Sequence, residues 1–249
     1  MKAMKNPFLF PLLALTVHAG EPRELAVAMD LYQDRKYAEA KSKFIEVKER
    51  FKADNAAENN PSSLAAFYET ECLRKLGDLE GLADARRKFV TPPLTRAWQL
   101  RQLEIDELWE AVRTKNWARV ETLAKERTAT CLPGDQRAQV AYCHGLALEA
   151  LGRPTEALLA FNIAMTADAG ASEEIARQAA LHILGIHQAD PEVQAALKLR
   201  GTKDEDKASN GSKNLTEAAA VAELFQLSLG GGTPLPAGFA KFLQNGPPP

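Results

Sequence analysis

"GLALEALGRPTEALLAFNIA", residues 145–164, reads as two short helices folded back on each other. Ala141, Gly145 and Leu148 recur at helical spacing and so share one face. Gly145 and Ala141 remove bulk where a second helix must come close. Gly152 then ends the first helix, and Pro154 opens the next with its φ already set. Ala157, Phe161 and Ala164 supply the facing stripe: small, large, small. The spacing predicts an antiparallel helical hairpin.

The same grammar recurs upstream. In "AMDLYQDRKYAEAKSKFIEV", Ala28 and Leu31 precede a polar turn, and Tyr37, Ala40, Phe44 and Val47 follow it. In "FYETECLRKLGDLEGLADA", Leu73 leads through Gly77-Asp78 to Leu79 and Leu82. In "ELWEAVRTKNWARVETLA", Leu108 and Ala111 lead through Lys115-Asn116 to Trp117, Val120 and Ala124. The residues that open the second helices, Tyr37, Leu79, Trp117 and Pro154, follow one another at 42, 38 and 37 residues. A near-constant period of this length is the mark of a repeat architecture; an irregular helical bundle is the alternative.

The pattern resembles the tetratricopeptide repeat family. Gly145, Leu148, Ala157 and Phe161 carry the resemblance in the best copy, and Ala28, Leu31, Tyr37, Ala40 and Phe44 carry it in the first. The middle copies depart from it: Leu82 and Val120 stand where alanine is usual, and the period exceeds 34 residues. The resemblance covers about residues 21–167 and, more weakly, 172–199. It implies an all-α fold, a right-handed α-solenoid of antiparallel helical hairpins, over residues 20–199.

Residues 172–199 read as one further hairpin. Ser172 with two following glutamates makes a helix start, and Asp190-Pro191 opens the partner helix. The stretch 200–214, "RGTKDEDKASNGSKN" with no apolar residue larger than alanine, reads as a flexible linker. Asn214 then begins an extra C-terminal helix over 215–229, apolar on more than one side and ended by Gly230. A linker of this length reaches the last hairpin easily, so the helix is expected to pack there. Residues 230–249, rich in glycine and proline, read as an irregular tail.

The first 19 residues carry two lysines, an apolar run of about a dozen residues interrupted by Pro11, and Val17 and Ala19 at the positions that favour signal cleavage. The run is shorter than the roughly 20 residues of a spanning helix. The expectation is a signal peptide over 1–19 and an exported chain, periplasmic or secreted, soluble and without a transmembrane segment after cleavage. A buried N-terminal helix is the alternative. Export would permit a disulfide, and Cys131 with Cys143 is the pair to consider; packing as small hydrophobes accounts equally for all three cysteines.

Acidic and basic residues nearly balance, 33 against 31, and no basic stripe stands alone, which speaks against a nucleic-acid partner. The chain has four histidines; His182 and His187 are five apart, and so do not share a helical face as zinc ligands do. "GGG" at 230–232 follows a helix where a phosphate loop would open one, and "DEDKASNG" lacks the ligand pattern of a calcium loop. No catalytic constellation, metal site or cofactor motif is legible, so the expectation is a protein that is not an enzyme.

If the first helix of each hairpin lines the inner surface, as the resemblance implies, a groove is offered to a protein or peptide partner. Its candidate residues are Tyr32, Phe67, Glu71, Arg74, Trp109, Tyr142 and Leu146, flanked by Leu25, Met29 and Ile105. Together they make an apolar and aromatic strip of hot-spot composition, while each taken singly is also a candidate for packing against a neighbouring helix. The family's best-known peptide clamp uses Lys and Asn there, which this strip lacks. The sequence thus points to a scaffold or adaptor of the cell envelope, or to an accessory subunit of an envelope or secretion assembly.

Overall fold

A computed structural model describes residues 22–52, 60–88, 97–167, 173–199, 202 and 213–244. The expected signal peptide, most of the linker and the helix start at Ser172 lie outside these residues. Among the described residues the fold is all-helical, with twelve α-helices and no strand.

The first compact unit, which ends at Leu94, holds α1 (Arg23–Gln33), α2 (Tyr37–Arg50), α3 (Pro61–Lys75) and α4 (Leu79–Lys88). Here α2 packs against α1 and α3, α4 packs against α3, and α1 also touches α3. The second unit, from Thr95, holds α5 (Ala97–Arg113), α6 (Trp117–Thr128), α7 (Asp135–Ala150), α8 (Pro154–Ala167), α9 (Glu173–Ala189), α10 (Pro191–Leu199), α11 (Lys213–Leu224) and α12 (Ala237–Gln244). Each of α5 to α9 packs on its successor; in addition α5 touches α7 across α6, and α7 touches α9 across α8.

One turn occurs four times. Arg35, Gly77, Lys115 and Gly152 adopt positive φ of 61°, 70°, 54° and 74°, each two residues before the next helix. At each, the left-handed residue donates its N–H three residues back, to Tyr32, Arg74, Val112 and Glu149. The residue after it donates five back, to Leu31, Leu73, Ala111 and Leu148. This is the Schellman arrangement, which satisfies carbonyls left over at a helix end. Tyr37, Leu79, Trp117 and Pro154 are each the first residue of their helix, as expected from sequence. Three residues on, Ala40, Leu82, Val120 and Ala157 are all buried; one further turn on, so are Phe44, Ala124 and Phe161. Arg86 of α4 breaks the series, being only half-buried.

Local caps reinforce the helix starts. Asn60 accepts from the N–H of Ser63 at 2.9 Å, and Asn116 from that of Arg119 at 3.3 Å. Asp190 accepts from Glu192 at 2.8 Å and Val193 at 3.2 Å, and these bonds, the Val193 one foremost, hold its carboxyl below the usual range.

Two expectations at the C-terminal end are corrected. Asn214 lies inside α11, which starts at Lys213, and its side-chain amide donates to Asp190 Oδ2 at 3.0 Å. The tail expected to be irregular contains α12, whose Phe239 and Phe242 are buried against α10 and α11. The expected packing of the C-terminal helix is found: α11 lies on α9 and α10, and its last turn loosens into a π-helical segment, Phe225–Leu229. Arg177 of α9 donates from Nε to the Leu229 carbonyl at 2.8 Å and ties that segment down. Phe161, Ile183, Leu184, Leu215, Phe225, Phe239 and Phe242 belong to one continuous core.

Candidate functional site

In the second unit, the first helices of successive hairpins line up a set of rings. Trp109 of α5 lies 6.1 Å from Tyr142 of α7, and Tyr142 lies 5.9 Å from His182 of α9, edge to face. Phe161 of α8 supports them from beneath, 5.9 Å from Tyr142 and stacked on His182 at 4.7 Å and 14°. His182 Nδ1 is 2.7 Å from Glu149 Oε2, so the ring's orientation is set on both sides. Gly145 makes room for this arrangement, since Phe161 fills the space where a side chain would stand.

The polar anchor of the array is interior. Trp109 Nε1 donates to Gln139 Oε1 at 3.0 Å, and Gln102 Nε2 donates to the same oxygen at 2.9 Å. Gln139 Nε2 in turn donates to Gln102 Oε1 at 3.2 Å and to Asp135 Oδ2 at 2.7 Å. Gln102 and Gln139 are both buried, and their reciprocal bonds fix the register of α5 against α7.

In the first unit the corresponding residues face each other. The Tyr32 hydroxyl donates to Glu71 Oε2 at 3.3 Å, and Arg74 pairs with Glu71 one turn along the same helix. Tyr32 also meets Tyr68 at 5.3 Å and Tyr37 at 5.6 Å. Phe67 is wholly buried, and Glu71 and Arg74 are nearly so.

The residues expected to line a groove thus divide. Phe67, Glu71, Arg74 and Trp109, the last only 8% exposed, serve the interior together with Leu25 and Ile105. Tyr32, Met29, Tyr142 and Leu146 keep partial exposure. His182 and Glu149 join the second set, and sequence reasoning missed them. His182 carries no pattern of its own there, because its placement beside Tyr142 depends on how α9 lies on α7.

Electrostatics mark Tyr142. Burial pushes its hydroxyl well above the usual phenol range, and the Cys143 thiol and the Glu174 and Glu149 carboxylates act in the same direction. Burial also holds His144 below the usual imidazole range. Cys72, Cys131 and Cys143 are free thiols; burial pushes Cys72 up to about 12 and Cys143 well upward.

A concavity lies between α8, α9 and α11, with a volume of about 830 Å³. Leu158, Ile186 and Val221 lie along it, and His187 and Glu217 stand at its polar end with Nε2 and Oε2 3.9 Å apart. Leu159 and Leu224 on its walls are 65% and 40% exposed.

Among the described residues no group of three or more His, Cys, Asp or Glu is placed to hold a metal ion, and no helix is long and apolar enough to cross a membrane. Comparison with protein-family models, curated proteins and solved structures gives no match.

Proposed function

We infer that this chain is an interaction protein: an exported scaffold or adaptor of the cell envelope that presents the Tyr142 face to a peptide or helix of another protein. The reading takes the hairpins as repeats of the tetratricopeptide type, stacked as a right-handed solenoid within each unit. The fourfold Schellman turn and the contact of alternate helices, α1 with α3, α5 with α7 and α7 with α9, support that architecture. The observation that carries the function is the ring array Trp109–Tyr142–His182, one residue from each of three alternate helices, in which Tyr142 and His182 keep partial exposure and the buried Trp109 is held by a rigid polar anchor. Preorganised aromatic surface of this kind loses little entropy on binding. The reading assigns no catalytic step to the chain.

Exposure of Leu159, Leu224 and Leu227, the last 77% exposed, favours a second reading, a permanent subunit of an envelope or secretion assembly. Site-specific photocrosslinking in the native cells separates the two. A photoreactive phenylalanine replaces Leu146 in one strain and Leu159 in another. A transient adaptor gives a discrete crosslinked product at 146 that disappears on Tyr142→Ala, with an unchanged thermal melt. A permanent subunit gives a stoichiometric product at 159, and the adaptor reading falls if 146 yields no product.

A further inference from the structure

The Tyr142 face has a charge as well as a shape. Glu149 sits on α7 two turns beyond Tyr142, and His182 of α9 reaches both, its ring against that of Tyr142 and its Nδ1 on Glu149. His182 engages one oxygen of Glu149, yet the Glu149 side chain remains 38% exposed and that of His182 30%. On the α9 side, Glu174 is paired with Arg177, whose Nε is committed to the Leu229 carbonyl and whose other nitrogen reaches Glu173 at 3.0 Å. Glu149 is therefore a partly exposed carboxylate on this face whose partner is an imidazole rather than a lysine or arginine. The two rings and that carboxylate meet in one place.

Aromatic ring faces and a carboxylate share one class of complement. A guanidinium or ammonium group is attracted by the ring quadrupole and by the acid together, and a guanidinium also stacks flat. An anionic group would be repelled by Glu149, and a purely apolar one would leave a partly dehydrated carboxylate without compensation.

We propose that the surface formed by Tyr142, His182 and Glu149 seats a cationic side chain, arginine in preference to lysine, of the partner polypeptide. The guanidinium lies against the Tyr142 and His182 rings and donates to Glu149, while Leu146 covers its aliphatic stem. The inference rests on the interaction reading above and adds the chemistry of the partner's anchoring residue.

The test uses the full chain with Nα-acetyl-arginine amide and its neutral analogue Nα-acetyl-citrulline amide, followed through the ring signals of His182 by NMR. Four histidines in the chain make that assignment tractable. The expected result is a saturable shift of His182 with the arginine compound. Binding is expected to be roughly fivefold weaker with citrulline, and to fall by a similar factor for the arginine compound in Glu149→Gln. Equal titration by both compounds, or no saturable shift at His182, overturns the proposal. A crosslink at position 146 alongside such a failure leaves the interaction reading standing and removes only the cation.

Discussion

A Cβ placed on Gly145 would come 2.6 Å from Cε1 of Phe161, closer than any relaxed contact allows. Phe161 is fully buried and stacked on His182, so it has nowhere to go. Gly145→Ala is expected to destabilise the second unit by about 1–3 kcal/mol, the usual range for overpacking. Gly185 in the middle of α9 supplies the contrast, because a Cβ there meets nothing within 4 Å. Gly185→Ala is expected to stabilise by about 0.5–1 kcal/mol through helix propensity. Urea denaturation of both variants checks the pair; equal effects would show that close approach at Gly145 does not govern this hairpin.

The repeated turn gives a second pair of opposite signs. Arg35 and Lys115 hold a left-handed backbone that glycine occupies at the equivalent positions 77 and 152. Arg35→Gly and Lys115→Gly should each gain about 0.5–1 kcal/mol, while Gly77→Ala and Gly152→Ala should each lose about 1 kcal/mol. Thermal melts of the four variants measure this, and a loss on Lys115→Gly would refute it.

Acid should loosen the C-terminal half. His187 is buried between α9 and α11, and burial holds its pKa below the unfolded value of 6.5. The unfolded chain therefore binds the proton first, so stability is intact above pH 6.5 and falls as pH drops from there toward the folded pKa. The expected observation is a decline in urea midpoint from pH 7 to pH 5 that is shallower in His187→Gln. Identical slopes in the two proteins would assign the acid response to other groups.

Deleting the contribution of α12 should be felt well beyond the tail. Phe239 is wholly buried against the core that α9, α10 and α11 share. Phe239→Ala is expected to cost about 3–5 kcal/mol. Hydrogen exchange should locate the loss in α10 and α11; unchanged protection there would mean that α12 is dispensable to the unit.

Much of this molecule is legible along the chain because its information is local. A Schellman turn is specified by a handful of neighbouring residues, so Tyr37, Leu79, Trp117 and Pro154 mark their helix starts without reference to any distant part of the structure. The stripe positions that follow them are legible for the same reason: helical periodicity puts Ala40, Val120 and Ala157 on the inner side whatever the partner helix is.

Other features had no local signal. An eight-residue helix such as α12, with Gly238 inside it, has too few hydrogen bonds to repay its own nucleation; it exists because Phe239 and Phe242 find a core already built. Which strip residues stay exposed was likewise undecided by spacing, since Trp109 and Tyr142 look alike in the sequence. Trp109 is drawn inward by Gln139, whereas Tyr142 is left half-open beside His182. Turns and periodicity are properties of consecutive residues and can be read from them; the company a side chain keeps depends on which helices lie side by side, and only tertiary packing decides that.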